Sequence, residues 1–286
     1  MIIASSNIRG LGGVGKRNYL KELIRKECLE FLAIQETKLE TIPDSLCNSL
    51  WGGDDCCWVS LPSSGNSGGI LSIWSKALGV LKFSFTGEGF VGVCLEWGPL
   101  KKVCFVVNIY SKCDLISKRR LWETLLGIKR QVGRGAWCLI GDFNAVLHSE
   151  ERKGQILLNP NYMRAEVAEF SDFVHSSDLM DLPILGRKFT WFHPNGSTMS
   201  RIDRMLVNDD WLLLWNNPTL WVLPRSVSDH CSHIVRYSGF DWGPKPFRFN
   251  NHWLLNNNFH GVVEDYWRNC NFTGWMAVIL KEKLRV

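Results

Sequence analysis

Residues 136–144 read AWCLIGDFN, an apolar run that stops at Gly141 and Asp142, with Asn144 two residues further on. The run reads as a buried strand, and the polar residues at its end lie where α/β proteins tend to place their chemistry. The same form appears near the N-terminus. Phe31 to Ile34 reads as a buried strand ending at Gln35 and Glu36, after a strand-like Ile2 to Ile8 and a helix-like Lys16 to Leu29. That helix would carry Leu20, Leu23, Ile24 and Cys28 on one face, with Lys21, Arg25 and Lys26 elsewhere.

Between these two stretches the segments CCWVSL, GGILSIW, VLKFSF and FVGVCLEW are separated by Gly, Ser and Pro turns, and Lys102 to Ile109 adds a further strand. Leu115 to about Arg130 reads as a basic amphipathic helix with Leu121, Leu125 and Ile128 as its stripe. Beyond residue 144 a helix is expected over Tyr162 to Val174. Strands are expected at Phe189–Phe192 and Ile202–Val207, flanking a Gly/Ser turn, then at Leu220–Leu223 and His233–Tyr237. Helices inserted between groups of strands predict an α/β fold of two packed sheets covered by helices, rather than one doubly wound sheet. After about Gly239 the composition shifts to WGPKPFRFNNHWLLNNNF, which reads as an extended linker leading to a helical piece near Phe259 to Trp267.

Composition narrows the class. At 286 residues and 45% hydrophobic, the chain can form one large domain or two modest ones. The net charge of +5, from 33 basic against 28 acidic side chains, makes any attraction for a polyanion local. Ten cysteines without a CxxC pair, several inside apolar runs, argue for reduced, buried thiols rather than a disulfide scaffold or zinc site. The start MIIASSNIRG lacks the basic and long apolar regions of a secretory signal, and no apolar run approaches the roughly 18 residues of a membrane span. A soluble, non-secreted protein with no membrane partner is expected.

The polar residues stranded at the ends of apolar runs are Asn7, Glu36, Asn108, Tyr110, Asp142, Asn144, Asp203, Asp229 and His230. Singly, each has an ordinary use: Asn7 and Asn144 could cap turns, Asp142 a loop, and Asp203 could pair with Arg201 or Arg204. Together they form a set richer in oxygen than in sulfur or imidazole donors, which suits magnesium or manganese better than zinc or copper. A divalent ion held by few carboxylates keeps open positions for phosphate oxygens and water. Phosphoester hydrolysis asks for that arrangement, with a carboxylate to orient or deprotonate water and a donor for the developing charge. A histidine oriented by an aspartate could be that donor.

In order along the chain, NIRG (7–10), QETK (35–38), NIY (108–110), GDFN (141–144), RIDR (201–204) and SDH (228–230) resemble the motifs of the endonuclease/exonuclease/phosphatase superfamily. Within it QETK, SEERKG (149–154), FTWFHPNG (189–196) and WGPKPFRF (242–249) are similar to endonuclease domains of plant LINE-type (non-LTR) retrotransposon polyproteins. The resemblance implies a four-layer α/β sandwich, two packed, mostly antiparallel sheets flanked by helices, spanning residues 1–238. Residues 239–286 would be a linker and partial helical tail toward a reverse transcriptase, which an intact element carries in the same chain. It further implies Mg2+, with Mn2+ able to substitute, and DNA as partner, nicked to leave a 3′ hydroxyl for target-primed retrotransposition in the nucleus.

The same resemblance assigns roles. Glu36 matches the principal metal ligand, with Asn7 beside it and Asp229 bordering the metal site. Asp142 matches the group that activates water, Asn144 its hydrogen-bonding neighbour, and Tyr110 a phenol near the phosphate. His230 matches the histidine that contacts the scissile phosphate, with Asp203 orienting its ring. The sequence departs from the family in YSKCD (110–114), which lacks the usual small residue or proline after the tyrosine. Loop residues Arg152, Lys153 and Arg187 are the expected DNA-backbone contacts, while Thr190 and Trp191 would touch DNA or support His230. Two alternatives remain: another phosphoesterase of the superfamily (an abasic endonuclease, deadenylase or phosphoinositide phosphatase), or an idle retroelement remnant that only binds nucleic acid.

Overall fold

A computed structural model of the chain describes residues 1–65, 67–154, 160–194, 196–237 and 258–269. The chain divides into two units, Met1–Phe240 and Asp241–Val286. The first unit holds two large sheets. One has the strand order Ile184–Leu185, Pro218–Val222, His233–Tyr237, Ile3–Asn7, Phe31–Gln35, Ser67–Ser75, Cys56–Ser64. The other runs Met180–Asp181, Asp203–Val207, Ala136–Asp142, Lys102–Tyr110, Phe90–Trp97, Gly79–Gly87. Both are mostly antiparallel. Parallel pairing joins Ile3–Asn7 to Phe31–Gln35, Lys102–Tyr110 to Ala136–Asp142, and the short edge strand Ile184–Leu185 to Pro218–Val222.

Side-chain alternation assigns the layers. Ile3, Phe31 and Ala33 of the first sheet meet Val106, Cys138, Ile140 and Met205 of the second in one apolar cluster between the sheets. The intervening residues Ala4, Leu32 and Ile34 face the helices Val14–Glu27 and Asp44–Trp51, meeting Leu20, Leu23, Ile24 and Leu50. On the far side Val107, Ile109 and Leu139 pack against the helices Leu115–Val132 and Pro160–Ser176 through Leu121, Trp122, Leu125, Phe170 and Phe173. The result is the four-layer α/β sandwich, with helices outside and two sheets face to face.

Local chemistry fixes several element ends. Asp114 caps Leu115–Val132 by accepting from the Ser117 amide at 2.8 Å, and losing such a cap costs about 1 kcal/mol. Cys28 is exposed and left-handed, so it ends the first helix instead of extending its apolar face. The strand expected at Phe189–Phe192 shortens to Trp191–Phe192 and pairs with Met199–Ser200, which in turn pairs with Arg152–Lys153. Asp203–Val207 belongs to the second large sheet instead, because its inward row, Asp203, Met205 and Val207, continues the core. The nine described cysteines are free. In the second unit a helix spans Phe259–Asn269, while the expected linker 239–257 lies outside the described residues. Among the described residues, no helix is long and apolar enough to cross a membrane.

Candidate metal and phosphoester site

The inward rows of the two sheets change character toward one end. Ile3 gives way to Ser5 and Asn7, Phe31 and Ala33 to Gln35, Val106 to Asn108, and Cys138 and Ile140 to Asp142. Register aligns these ends: Asn7 sits opposite Gln35, and Asp142 lies between Tyr110 and Asp203. Asn108 ties the sheets together, donating to the Leu71 carbonyl at 3.0 Å and accepting from Gln35 Nε2 at 2.6 Å. Gly141 permits the close approach behind Asp142. Its φ is +140°, and a Cβ there would meet the Ile109 carbonyl oxygen at 2.1 Å.

Just past the strand ends, Arg9, Glu36, Lys38 and Asn144 all have left-handed φ, between 48° and 55°. For residues with a Cβ this conformation costs on the order of 1 kcal/mol or more each. Here it is held by the backbone hydrogen bonds Gly10 N to Glu36 O (2.6 Å) and Thr37 N to Gly69 O (2.9 Å). Glu36 stands in this turn with its carboxylate within 4.8 Å of that of Asp142. Asn7 then bridges the pair, its Nδ2 donating to Glu36 Oε1 at 3.0 Å and to Asp142 Oδ2 at 2.9 Å. The Asn7 Oδ1 accepts from the Arg9 amide at 3.2 Å, so in this arrangement Asn7 orients the carboxylates. Asn144 completes the loop, its amide donating to Asp142 Oδ1 at 2.9 Å and its Nδ2 to the Ser111 carbonyl at 2.7 Å.

His230 closes the cluster from the other side. Its Nδ1 lies 3.0 and 3.1 Å from the two Asp203 carboxylate oxygens, and its Nε2 points toward Asp142 Oδ2 at 3.8 Å. Thr190, fully buried, supports this pair: its hydroxyl oxygen accepts from the Ile202 and Asp203 amides at 3.1 and 3.0 Å, and its carbonyl from Cys231 N at 2.7 Å. Trp191 donates from Nε1 to Asp229 Oδ2 at 3.0 Å, and Asp229 is also paired with Arg9.

Electrostatics follow from burial and from unequal charge. Burial lifts the Asp142 carboxyl well above its ordinary range, and Asp203 adds to this against the pull of His230. Burial alone would lower His230, but Asp203 and Asp142 outweigh it and raise the imidazole to about 9. Burial raises the Tyr110 phenol, and the Glu36 and Asp142 carboxylates raise it further. For Asp229 burial acts upward, yet His230 and Arg9 bring it below the usual carboxylate value.

Three buried carboxylates, Glu36, Asp142 and Asp203, thus surround one imidazolium, with Arg9 and Lys38 approaching Glu36 at 3.7 and 3.8 Å. Both cations approach from the Glu36 side, and Asp142 has His230 Nε2 at 3.8 Å. Glu36, Asp142 and His230 offer ligand atoms all within 4.8 Å of one another. Two hard oxygen donors in a negative, buried setting fit a divalent cation. His230, drawn toward its protonated form, is better suited to donate a hydrogen bond from Nε2 than to ligate.

The structure brings Asn7, Glu36, Tyr110, Asp142, Asn144, Asp203 and His230 together; Asp229, expected to border the ion, spends its carboxylate on Arg9 and Trp191. Lys153 and Arg187 are exposed. Arg152 is turned inward, donating to Glu166 at 2.8 Å and to Ser200 Oγ at 3.3 Å, so its guanidinium is committed inside the fold rather than offered to a phosphate. Thr190, at 0% exposure, has no surface to offer DNA and takes the supporting role. The residues that sequence reasoning passed over are Arg9, Gln35 and Lys38, although all three stand inside the NIRG and QETK motifs.

The buried cluster of Glu36, Asp142 and His230 has the make-up of a divalent-metal-dependent phosphoesterase site. Residues 4–230 match the Endonuclease/Exonuclease/phosphatase family, and the chain belongs to it. Solved structures share the fold. The Leishmania major AP endonuclease LMAP is 16% identical, with a TM-score of 0.61 over 82% of this chain and 86% of that one. A 3′-5′ exonuclease from Neisseria meningitidis is 17% identical, with a TM-score of 0.64 over 83% and 99%. The endonuclease domain of TRAS1, a telomere-specific non-LTR retrotransposon, is 14% identical, with a TM-score of 0.61 over 83% and 98%. No curated protein sequence matches the chain.

Proposed function

We propose that this protein is a divalent-metal-dependent phosphodiesterase that cuts DNA internally and leaves a 3′ hydroxyl. The observation that carries the hydrolytic part is the convergence of Glu36, Asp142 and His230 within 4.8 Å, with Asp203 behind the imidazole. Glu36 and Asp142 would hold the ion, Mg2+ by the chemistry of their oxygens. When bound, such an ion supplies positive charge to the phosphoryl oxygens and makes water a better nucleophile.

The chain's own residues do the rest. Asp142, held in place by the Asn7 and Asn144 donors, orients the attacking water and takes its proton. His230 presents Nε2–H to a nonbridging oxygen while Asp203 fixes the tautomer through Nδ1. Asn7 keeps the two carboxylates from swinging apart.

Support for DNA comes from the QETK, SEERKG and FTWFHPNG wording and from likeness to proteins named as AP endonucleases and a retrotransposon endonuclease. In that reading residues 239–286 lead toward a reverse transcriptase. A second reading keeps the chemistry and changes the substrate, because the fold is shared equally with a mannosyl-6-phosphatase from Bacteroides thetaiotaomicron.

The test is hydrolysis of supercoiled plasmid, an abasic duplex, oligoadenylate and a phosphoinositide, each with Mg2+ or EDTA. Folded Glu36→Ala and His230→Ala proteins serve as controls. Magnesium-dependent nicking of the plasmid, lost in both variants, is the expected result. Hydrolysis confined to another substrate would move the assignment to that phosphoesterase, and inactivity on all four would favour a catalytically idle remnant.

A further inference from the structure

The SEERKG segment is not absorbed by the site, yet its Glu151 is 6% exposed and carries a heavily used carboxylate. Glu151 Oε2 accepts from the Leu147 amide at 2.8 Å and pairs with Arg204; Oε1 accepts from Arg201 Nη1 at 3.0 Å. Asp181 Oδ2 binds the same two guanidiniums, at 2.7 Å to Arg201 and 2.6 Å to Arg204. Two acids and two arginines therefore form a charge-balanced buried cluster, with Arg204 fully enclosed and stacked over Phe170.

The placement matters more than the stability. Arg201 and Arg204 bracket Asp203 in the chain, and Glu151 closes the loop that leaves Asp142 and Asn144. The Arg201 amide donates to the Glu151 carbonyl at 2.8 Å, and the Phe143 amide to the Ile202 carbonyl at 2.9 Å. One carboxylate thus links the segment that carries Asp142 to the segment that carries Asp203. A buried ion pair is a poor way to gain stability over apolar packing, but it is directional.

We infer that Glu151 is a positioning residue: through Arg201 and Arg204 it sets the backbone at Asp203, and so the orientation of His230. The inference rests on the hydrolytic reading of the site, but its main readout needs no substrate. Glu151→Met combined with Arg204→Met removes one charge of each sign, leaves Arg201 with Asp181, and keeps the volume apolar.

In ion-free protein labelled with 15N-histidine, the His230 Nδ1–H proton facing Asp203 is expected to give a protected signal in the parent. That signal is expected to be lost to solvent exchange in the folded double variant. On the protein's phosphodiester substrate kcat should fall about ten- to hundredfold with KM within about twofold, as for a small misplacement of a catalytic group. A folded double variant that keeps the Nδ1–H signal overturns the inference. Should the double variant not fold, Glu151→Gln keeps the side chain's size and its acceptor for Leu147 and is read in the same way. If the parent proves inactive on DNA, the assignment of DNA fails, while the histidine signal still decides the role of Glu151.

Discussion

Two buried polar clusters lie side by side in the first unit, and they are built on opposite principles. In one, Glu36, Asp142 and Asp203 lie around His230, Arg9 and Lys38 reach only Glu36, and burial drives Asp142 upward against the pull of His230. In the other, Glu151 and Asp181 meet Arg201 and Arg204 charge for charge, and Arg204 holds the Glu151 carboxyl below its ordinary value despite burial. The first cluster gathers ligand atoms of Glu36, Asp142 and His230 within 4.8 Å, and the second spends both of its carboxylates on guanidiniums. A buried acidic group is thus a clue to function when its oxygens converge with other ligand atoms, and a clue to architecture when guanidiniums match it.

The comparison breaks most visibly at Asp203, the residue the two clusters share through its neighbours. Asp203→Asn keeps the shape but removes the charge that holds His230 protonated and in one tautomer. Its kcat is expected to fall about 10²- to 10³-fold, while thermal unfolding stays close to that of the parent. A kcat within threefold of the parent would show that His230 does not depend on Asp203.

A smaller effect should come from His233, which is fully buried between the sheets near both Asp203 and the Arg204 backbone. Burial lowers this imidazole to about 4 from 6.5. Between those values an unfolded chain takes up a proton that the folded chain refuses, so His233 lowers stability as pH falls from about 6.5 to about 4. Urea unfolding over that range should show an acid limb that is flatter in a folded His233→Gln variant. An unchanged limb would place the acid sensitivity elsewhere.

Much of the fold was legible because continuous apolar runs such as Phe31–Ile34 and Ala136–Ile140 require a strand buried on both faces, and the inserted amphipathic segments supply covers. The site was legible as a set, since Asn7, Glu36, Asp142 and Asp203 each stand at the end of an apolar run. Their convergence was not, because it depends on register and on left-handed turns at Arg9, Glu36 and Asn144 that residue type does not announce. The balanced cluster was hidden for another reason. Glu151, Arg152, Arg201 and Arg204 have the composition of a solvated loop, so Arg152 was expected on DNA. Only long-range pairing with Glu166, more than ten residues away, turns it inward. The strand Met199–Ser200 that pairs with Trp191–Phe192 was not foreseen, since a two-residue strand leaves almost no periodic signal.

The central claim is that the cluster of Glu36, Asp142 and His230 is a divalent-cation site. Crystals grown with Mn2+ and measured at the manganese absorption edge test it directly. The account predicts an anomalous peak between the Glu36 and Asp142 carboxylates, absent in Glu36→Ala crystals treated identically. A saturated protein with no peak there, or with its ion elsewhere, would contradict it.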